Sequence, residues 1–152
     1  MQGQRANPGA RRILHPTDFS NGARQAETEA VRLARAMGAK LLLLHVVPEV
    51  YLYARGRVKI TDLLQLQAIR LAAGRRALAH RVARLRSRGV RVKGLVLSGS
   101  PPAQILAVAR RARSDIIVMG TRGGNALSRW LLGSVADRVV RGASCPVLTV
   151  RK

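Results

Sequence analysis

Between Ile116 and Ser134 the chain reads IIVMGTRGGNALSRWLLGS, an apolar run followed by Gly120, Gly123, Gly133 and Ser134. The spacing is G-x2-G-x9-G-S. Glycine suits a backbone that must approach a ligand more closely than a Cβ allows, or must take a positive φ. A strand end, a glycine-bearing loop and a helix N-terminus bring unpaired N–H groups to one spot, which suits phosphate. Phosphate binding is therefore the expected chemistry. Hydrolysis is less well served. Gly133 and Ser134 run into Val135 with no G-K-[ST] lysine, and the chain contains no zinc-binding pair and no G-x-S-x-G elbow. A second polar turn, HPTDFS at residues 15–20, offers Asp18 as a ligand residue or as a helix cap beside Ser20.

These turns need elements to hold them. Arg12 to His15 reads as a short strand ending at Pro16, and Ser20 as the N-cap of a helix to Met37, with Gly38 closing it. Lys40 to Val47 is almost continuously apolar, as in a strand buried on both faces. Pro48 to Ile60 is irregular and is expected to be the most mobile part. Thr61 is placed to cap a long helix to about Arg88, with Leu66, Ile69, Ala73, Ala77, Val82 and Leu85 facing inward and arginines outward. A strand from Val90 to Leu97 follows, then a helix from Ser100 and Pro101 to about Arg113. Asp115 opens the glycine strand, Gly133 to Gly142 forms a last helix and Pro146 to Val150 a last strand.

The order β-α-β-α-β-α-β-α-β predicts a five-stranded parallel sheet with helices on both faces, a Rossmann-like α/β fold. Such sheets bind ligands beyond the carboxyl ends of their strands, where the winding reverses. In a 3-2-1-4-5 order that point lies between the first and fourth strands, which end in HPTDFS and MGTRGG. Residues 1–10 read as a flexible tail, and residues 11–152 as one domain.

Among the 152 residues, 28 are basic and 7 acidic, a net charge of +21. An excess of this size attracts polyanions, whether an acidic protein or a nucleic acid. A genome rich in arginine codons would produce it too. A bound nucleotide with about four negative charges does not account for it. Aromatic residues are few, which disfavours a stacking platform for single strands. The single cysteine, Cys145, allows no internal disulfide and reads as a structural thiol. His15 and His45 read as core or rim histidines, and His80 as exposed. No run is long enough to span a membrane and the start of the chain lacks a signal-peptide pattern, so a cytoplasmic location is expected.

ILHPTDFS, LLLHVV and IVMGTRGGNALSRWLLGSVADRVVRGASCPVLTVR together resemble the universal stress protein A-like family, in order and over nearly the whole chain. The resemblance implies an adenine nucleotide alpha hydrolase-like fold. Gly120, Gly123, Gly133 and Ser134 match the pattern of the family's ATP-binding branch. It further implies that Pro16, Thr17 and Asp18 lie beside the nucleotide, with Asp18 near the ribose or a phosphate-bound Mg or Mn ion. Val46 would meet adenine, and Met119 and Gly120 would flank the nucleotide. Gly123, Gly133, Ser134 and Val135 would ring the phosphates. Where the family commonly has a basic residue and then Ser or Thr, this chain has Gly124 and Asn125, a place for Arg122 or Arg129 to compensate. The implied ligand is ATP, AMP or ADP, and the implied assembly a homodimer through Pro146 to Val150. The expected role is a nucleotide-dependent stress sensor or partner-binding module. A basic nucleic-acid-binding accessory protein and a slow ATP-hydrolysing enzyme are the alternatives.

Overall fold

The computed structural model describes residues 11–49, 59–121 and 132–151. The tail at 1–10, most of the irregular segment before Ile60, and Arg122, Gly123, Gly124, Asn125 and Arg129 lie outside the described residues. Strands β1 (Arg12–Pro16), β2 (Lys40–Val47), β3 (Val92–Ser98), β4 (Ile116–Gly120) and β5 (Val147–Val150) alternate with helices α1 (Asn21–Met37), α2 (Ile60–Ser87), α3 (Pro101–Arg111) and α4 (Ser134–Gly142). All strands are parallel, in the order β3-β2-β1-β4-β5. The expected α/β fold and strand order are those observed.

Successive strand side chains point to opposite faces, and here both faces are buried. Ile13, Leu41, Leu43 and Val118 pack against α1 and α2. Leu14, Leu44, Ile117 and Met119 pack against α3 and α4. That is why β2 reads as an unbroken apolar run.

Helix α1 begins as expected: the Ser20 hydroxyl accepts the Ala23 N–H at 3.2 Å. It ends with Gly38 at φ 59°, the Gly38 N–H bonding the Arg35 carbonyl and the Ala39 N–H the Ala34 carbonyl. This reciprocal closure satisfies carbonyls that the helix leaves orphaned. Helix α2 ends the same way at Gly89, φ 76°, and its continuation through Val90 delays β3 to Val92. Helix α3 repeats the closure with Arg113 at φ 49°, a non-glycine residue in the left-handed region.

The long helix departs from expectation in two ways. Its cap is Lys59, which makes no side-chain cap bond, so Thr61 lies inside the first turn. Its buried face is Leu63, Gln67, Gly74, Leu78, Val82 and Leu85. Leu66, Ile69, Ala73 and Ala77, expected inward, are exposed instead. The inward stripe holds Gln67 and Gly74, which an apolar count passes over, so the sequence pattern selects a neighbouring stripe in the first half of the helix.

Polar groups are buried beneath α1 and α2. His15 is fully buried, and its Nδ1 lies 2.8 Å from the Val118 carbonyl. A carbonyl only accepts, so Nδ1 carries the proton. Burial lowers the pKa of His15, leaving the ring neutral at pH 7. Glu27 of α1 meets Arg81 of α2 at 2.8 Å, the side chains being only 7% and 14% exposed.

Candidate functional site

The chain winds outward from β1 through β2 to β3, then crosses back to place β4 on the other side of β1. At that reversal the connections leave β1 and β4 in opposite directions, and a cleft opens beyond the strand ends. A cavity of about 680 Å³ occupies it. This is within the size range of small-molecule sites.

Pro16, Thr17, Asp18, Val46, Met119, Gly120, Gly133, Ser134 and Val135 all line this one cavity. Arg122 and Gly123 complete the set expected from the sequence but lie outside the described residues. The β1 end is tightly fixed. The Thr17 N–H donates to the Leu44 carbonyl at 2.8 Å, and the Thr17 carbonyl lies 2.9 Å from His45 Nδ1. The Thr17 hydroxyl accepts the Phe19 N–H at 3.1 Å, which steadies Phe19 at φ 63°. Asp18 Oδ1 accepts the Ser20 N–H at 3.0 Å. Ser20 is thus the helix cap, while Asp18 braces the turn from an exposed position on the cavity.

Gly120 has a reason to be glycine before any ligand is considered. A Cβ there would stand 3.1 Å from the backbone carbon and oxygen of Gly22 and 3.4 Å from the Ala23 nitrogen. The end of β4 thus packs directly on the first turn of α1. Gly133 takes the ordinary values φ −61° and ψ 150° as the N-cap of α4, and makes no side-chain cap bond. Its N–H donates to the Thr121 carbonyl at 2.7 Å, tying the helix start to the β4 end. The first N–H groups of any helix lack intrahelical partners. Those of Ser134, Val135 and Ala136 thus stand at the cavity wall.

Much of the remaining lining is apolar. Leu44, Val46, Ile105 and Met119 supply it, together with Pro48 and Pro101. His45 is a rim histidine, as expected, its ring 4.5 Å from that of Phe19. The cavity also holds Arg70, which the sequence reading counted with the outward arginines. Arg70 follows Leu63 by seven residues, two helical turns, and so lies on the stripe that runs to Gly74 and Leu78. Had Leu63 and Gln67 set the helical phase, Arg70 would have been placed at the site. Among the described residues lining the cavity it is the one arginine, and no lysine accompanies it.

The fold and cleft define a doubly wound α/β protein with its cavity at the switch point. Residues 9–151 match the universal stress protein family, and the chain belongs to that family. It is 36% identical over 146 residues to the universal stress protein MJ0531 of Methanocaldococcus jannaschii, covering 93% of this chain and 82% of that one. Among solved structures it is similar to the universal stress protein UspA from Lactobacillus plantarum, with a TM-score of 0.81 and 30% identity over 93% of this chain and 97% of that one. The fold is also shared with a universal stress protein from Archaeoglobus fulgidus solved in complex with dAMP. That match has a TM-score of 0.62 and 24% identity, over 92% of this chain and 96% of that one.

Proposed function

We propose that the cavity binds an adenine nucleotide, with ATP as the preferred ligand, and that the chain is a nucleotide-dependent stress sensor or partner-binding module in the cytoplasm. The observation that carries this reading is the pairing, in one cleft, of an apolar wall with the uncapped start of α4. Adenine is flat and apolar on its faces and fits against Val46, Ile105 and Met119. The phosphates fit at Gly133, Ser134 and Val135, where N–H groups and the helix dipole favour negative charge. Gly123 and Arg122 belong to the same phosphate loop in this reading. The Archaeoglobus fulgidus protein solved with dAMP supports an adenine ligand for a protein of this fold.

Asp18 fits a divalent Mg or Mn ion only if the phosphates help to hold it. One of its oxygens braces the Ser20 N–H, and the described residues contain no group of three or more metal-ligating side chains. Arg70 is the described cation able to reach phosphate from the α2 side. Titration calorimetry with ATP, AMP and GTP tests the reading. ATP is expected to bind more tightly than either, and Arg70→Ala to weaken ATP by about tenfold while sparing adenosine, the loss of one charge-assisted contact. No heat from ATP at millimolar concentration would sink the proposal.

Strand β5 supports a proposal about assembly. It is an edge strand, and Leu148 on it is 36% exposed, so its outer side offers unpaired backbone beside apolar surface. We propose that β5 pairs with its copy in a homodimer. Light scattering at micromolar concentration should give twice the chain mass, and a monomer mass throughout would overturn the dimer.

A further inference from the structure

Among the described residues, a cluster of basic side chains stands at the end of the sheet opposite the cavity. Every helix of a parallel α/β fold runs back toward the amino ends of the strands, so the last turns of α1, α2 and α3 share one pole with the starts of β1 to β4. Of the carboxylates, Asp18 lines the cavity, Asp62 and Asp137 stand in the first turns of α2 and α4, and Glu49 follows β2. The described carboxylate at the opposite pole is Asp115, and its Oδ2 accepts the Arg12 N–H at 2.7 Å.

Four of the pole's arginines have a structural task. Arg86, in the last turn of α2, donates to the Val92 carbonyl at the start of β3, at 3.1 Å. Arg91 donates to the Gly38 carbonyl at the end of α1. Arg35 donates to the Arg88 carbonyl at the end of α2, at 2.9 Å, and Arg12 to the Ala112 carbonyl at the end of α3, at 2.7 Å. Each helix end is thus capped by a guanidinium from a neighbouring element, which also offsets the negative end of the helix dipole. Arg88, Arg110, Arg111 and Arg113 have no such task. All four are exposed and make no ion pair among the described residues. Arg113 moreover occupies the left-handed closure of α3, where the two equivalent positions on α1 and α2 are glycines. A side chain there carries a conformational cost that glycine avoids.

We infer that this pole docks on the phosphate backbone of double-stranded nucleic acid, independently of base sequence. Charge dominates this surface. Most exposed large hydrophobic residues lie elsewhere, at the start of α2, before α4 and on β5, and Val140 in the last turn of α4 is the one at this end of the sheet. A protein–protein interface needs a desolvated core of aromatic or aliphatic anchors, and a single valine does not supply one to an acidic protein. Phosphate neutralisation needs none, because counterion release drives it. Single strands would require stacking partners that this pole does not offer. The cavity and the pole lie at opposite ends of the sheet, so this surface is independent of the proposed nucleotide site.

Fluorescence anisotropy with a labelled 20-base-pair DNA duplex, from 50 to 300 mM KCl, tests the inference. Binding should weaken linearly in log–log form with salt. The combined variant Arg88→Gln, Arg110→Gln and Arg111→Gln should lose at least tenfold in affinity and flatten the salt slope. The combined variant Arg75→Gln, Arg76→Gln and Arg138→Gln removes equal charge from mid-helix positions and should change affinity less than threefold. Equal losses in the two variants would overturn the pole. Arg113→Gly should raise the melting temperature by about 2 °C while weakening duplex binding, signs that no loss of folding could combine. No duplex binding by the unaltered protein, or equally tight binding of polyglutamate, would overturn the assignment to nucleic acid.

Discussion

Replacing Arg81 by methionine is expected to destabilise the fold by about 3–5 kcal/mol, the cost of leaving a buried charge without its partner. Glu27 is 5% exposed and its Oε1 is 2.8 Å from Arg81 Nη1. Its other oxygen has no hydrogen-bond partner among the described residues. Arg84, at 3.6 Å and half-exposed, is too distant and too well hydrated to replace the lost contact. The pair joins α1 to α2, and Glu27 is too buried for water to replace the contact fully. The double variant Glu27→Leu, Arg81→Met removes both charges and should recover most of the loss, since apolar replacement of a buried pair is often neutral. Urea unfolding of the two variants measures the difference. A single variant within about 1 kcal/mol of the parent would refute the account.

Ser134→Asp should move stability and nucleotide affinity in opposite directions. Ser134 is exposed and is the first residue of α4, a helix with no side-chain cap. A carboxylate in a first turn interacts favourably with the helix dipole, by about 0.3–1 kcal/mol, so the melting temperature should hold or rise. The same carboxylate would stand where the proposed site places phosphate. ATP affinity should then fall about a hundredfold, roughly 2.7 kcal/mol. Ser134→Asn keeps the shape without the charge and should stay within about fivefold of the parent. Calorimetric titration of both variants beside their melting curves decides the matter. Unchanged ATP affinity in Ser134→Asp would remove α4 from the site. Gly120 is a poorer probe, since a side chain there presses on the backbone of α1 and confuses folding with binding.

Strand order, helix order and cleft position were legible because they rest on strong local signals. Lys40 to Val47 has no polar face, so it had to be an inner strand. Gly38 and Ser20 mark the ends of α1 by backbone chemistry that survives any tertiary context. What escaped was the rotation of α2. Its inward stripe includes a glutamine that donates to the Ser98 hydroxyl at 2.8 Å and a glycine that lets the helix approach His45. Neither residue scores as core in a count of apolar side chains. An apolar count along α2 favours Leu66 and Ile69 on the inner face and sets Arg70 outward, away from the cavity it lines. That residues at the ends of β1, β2 and β4 and the start of α4 line one cavity was legible through the resemblance and the topology together. The second function of Gly120, packing on α1, depends on an approach between distant segments that no local pattern records.

The union of β1 with β4 is short. Ladder pairing covers Ile13 with Ile116 and Leu14 with Ile117, whereas β2 and β3 are paired from Leu41 with Val92 to Val47 with Ser98. His15 and Val118, which extend the contact, are 103 positions apart. Closing so long a loop is slow, and its entropy must be met before the contacts reward it. During synthesis β1, β2 and β3 emerge first and can assemble with α1 and α2, while β1 awaits a neighbour that is not yet made. The central strand of the finished protein is therefore an open edge in the nascent one. That edge is closed only when β4 has been made.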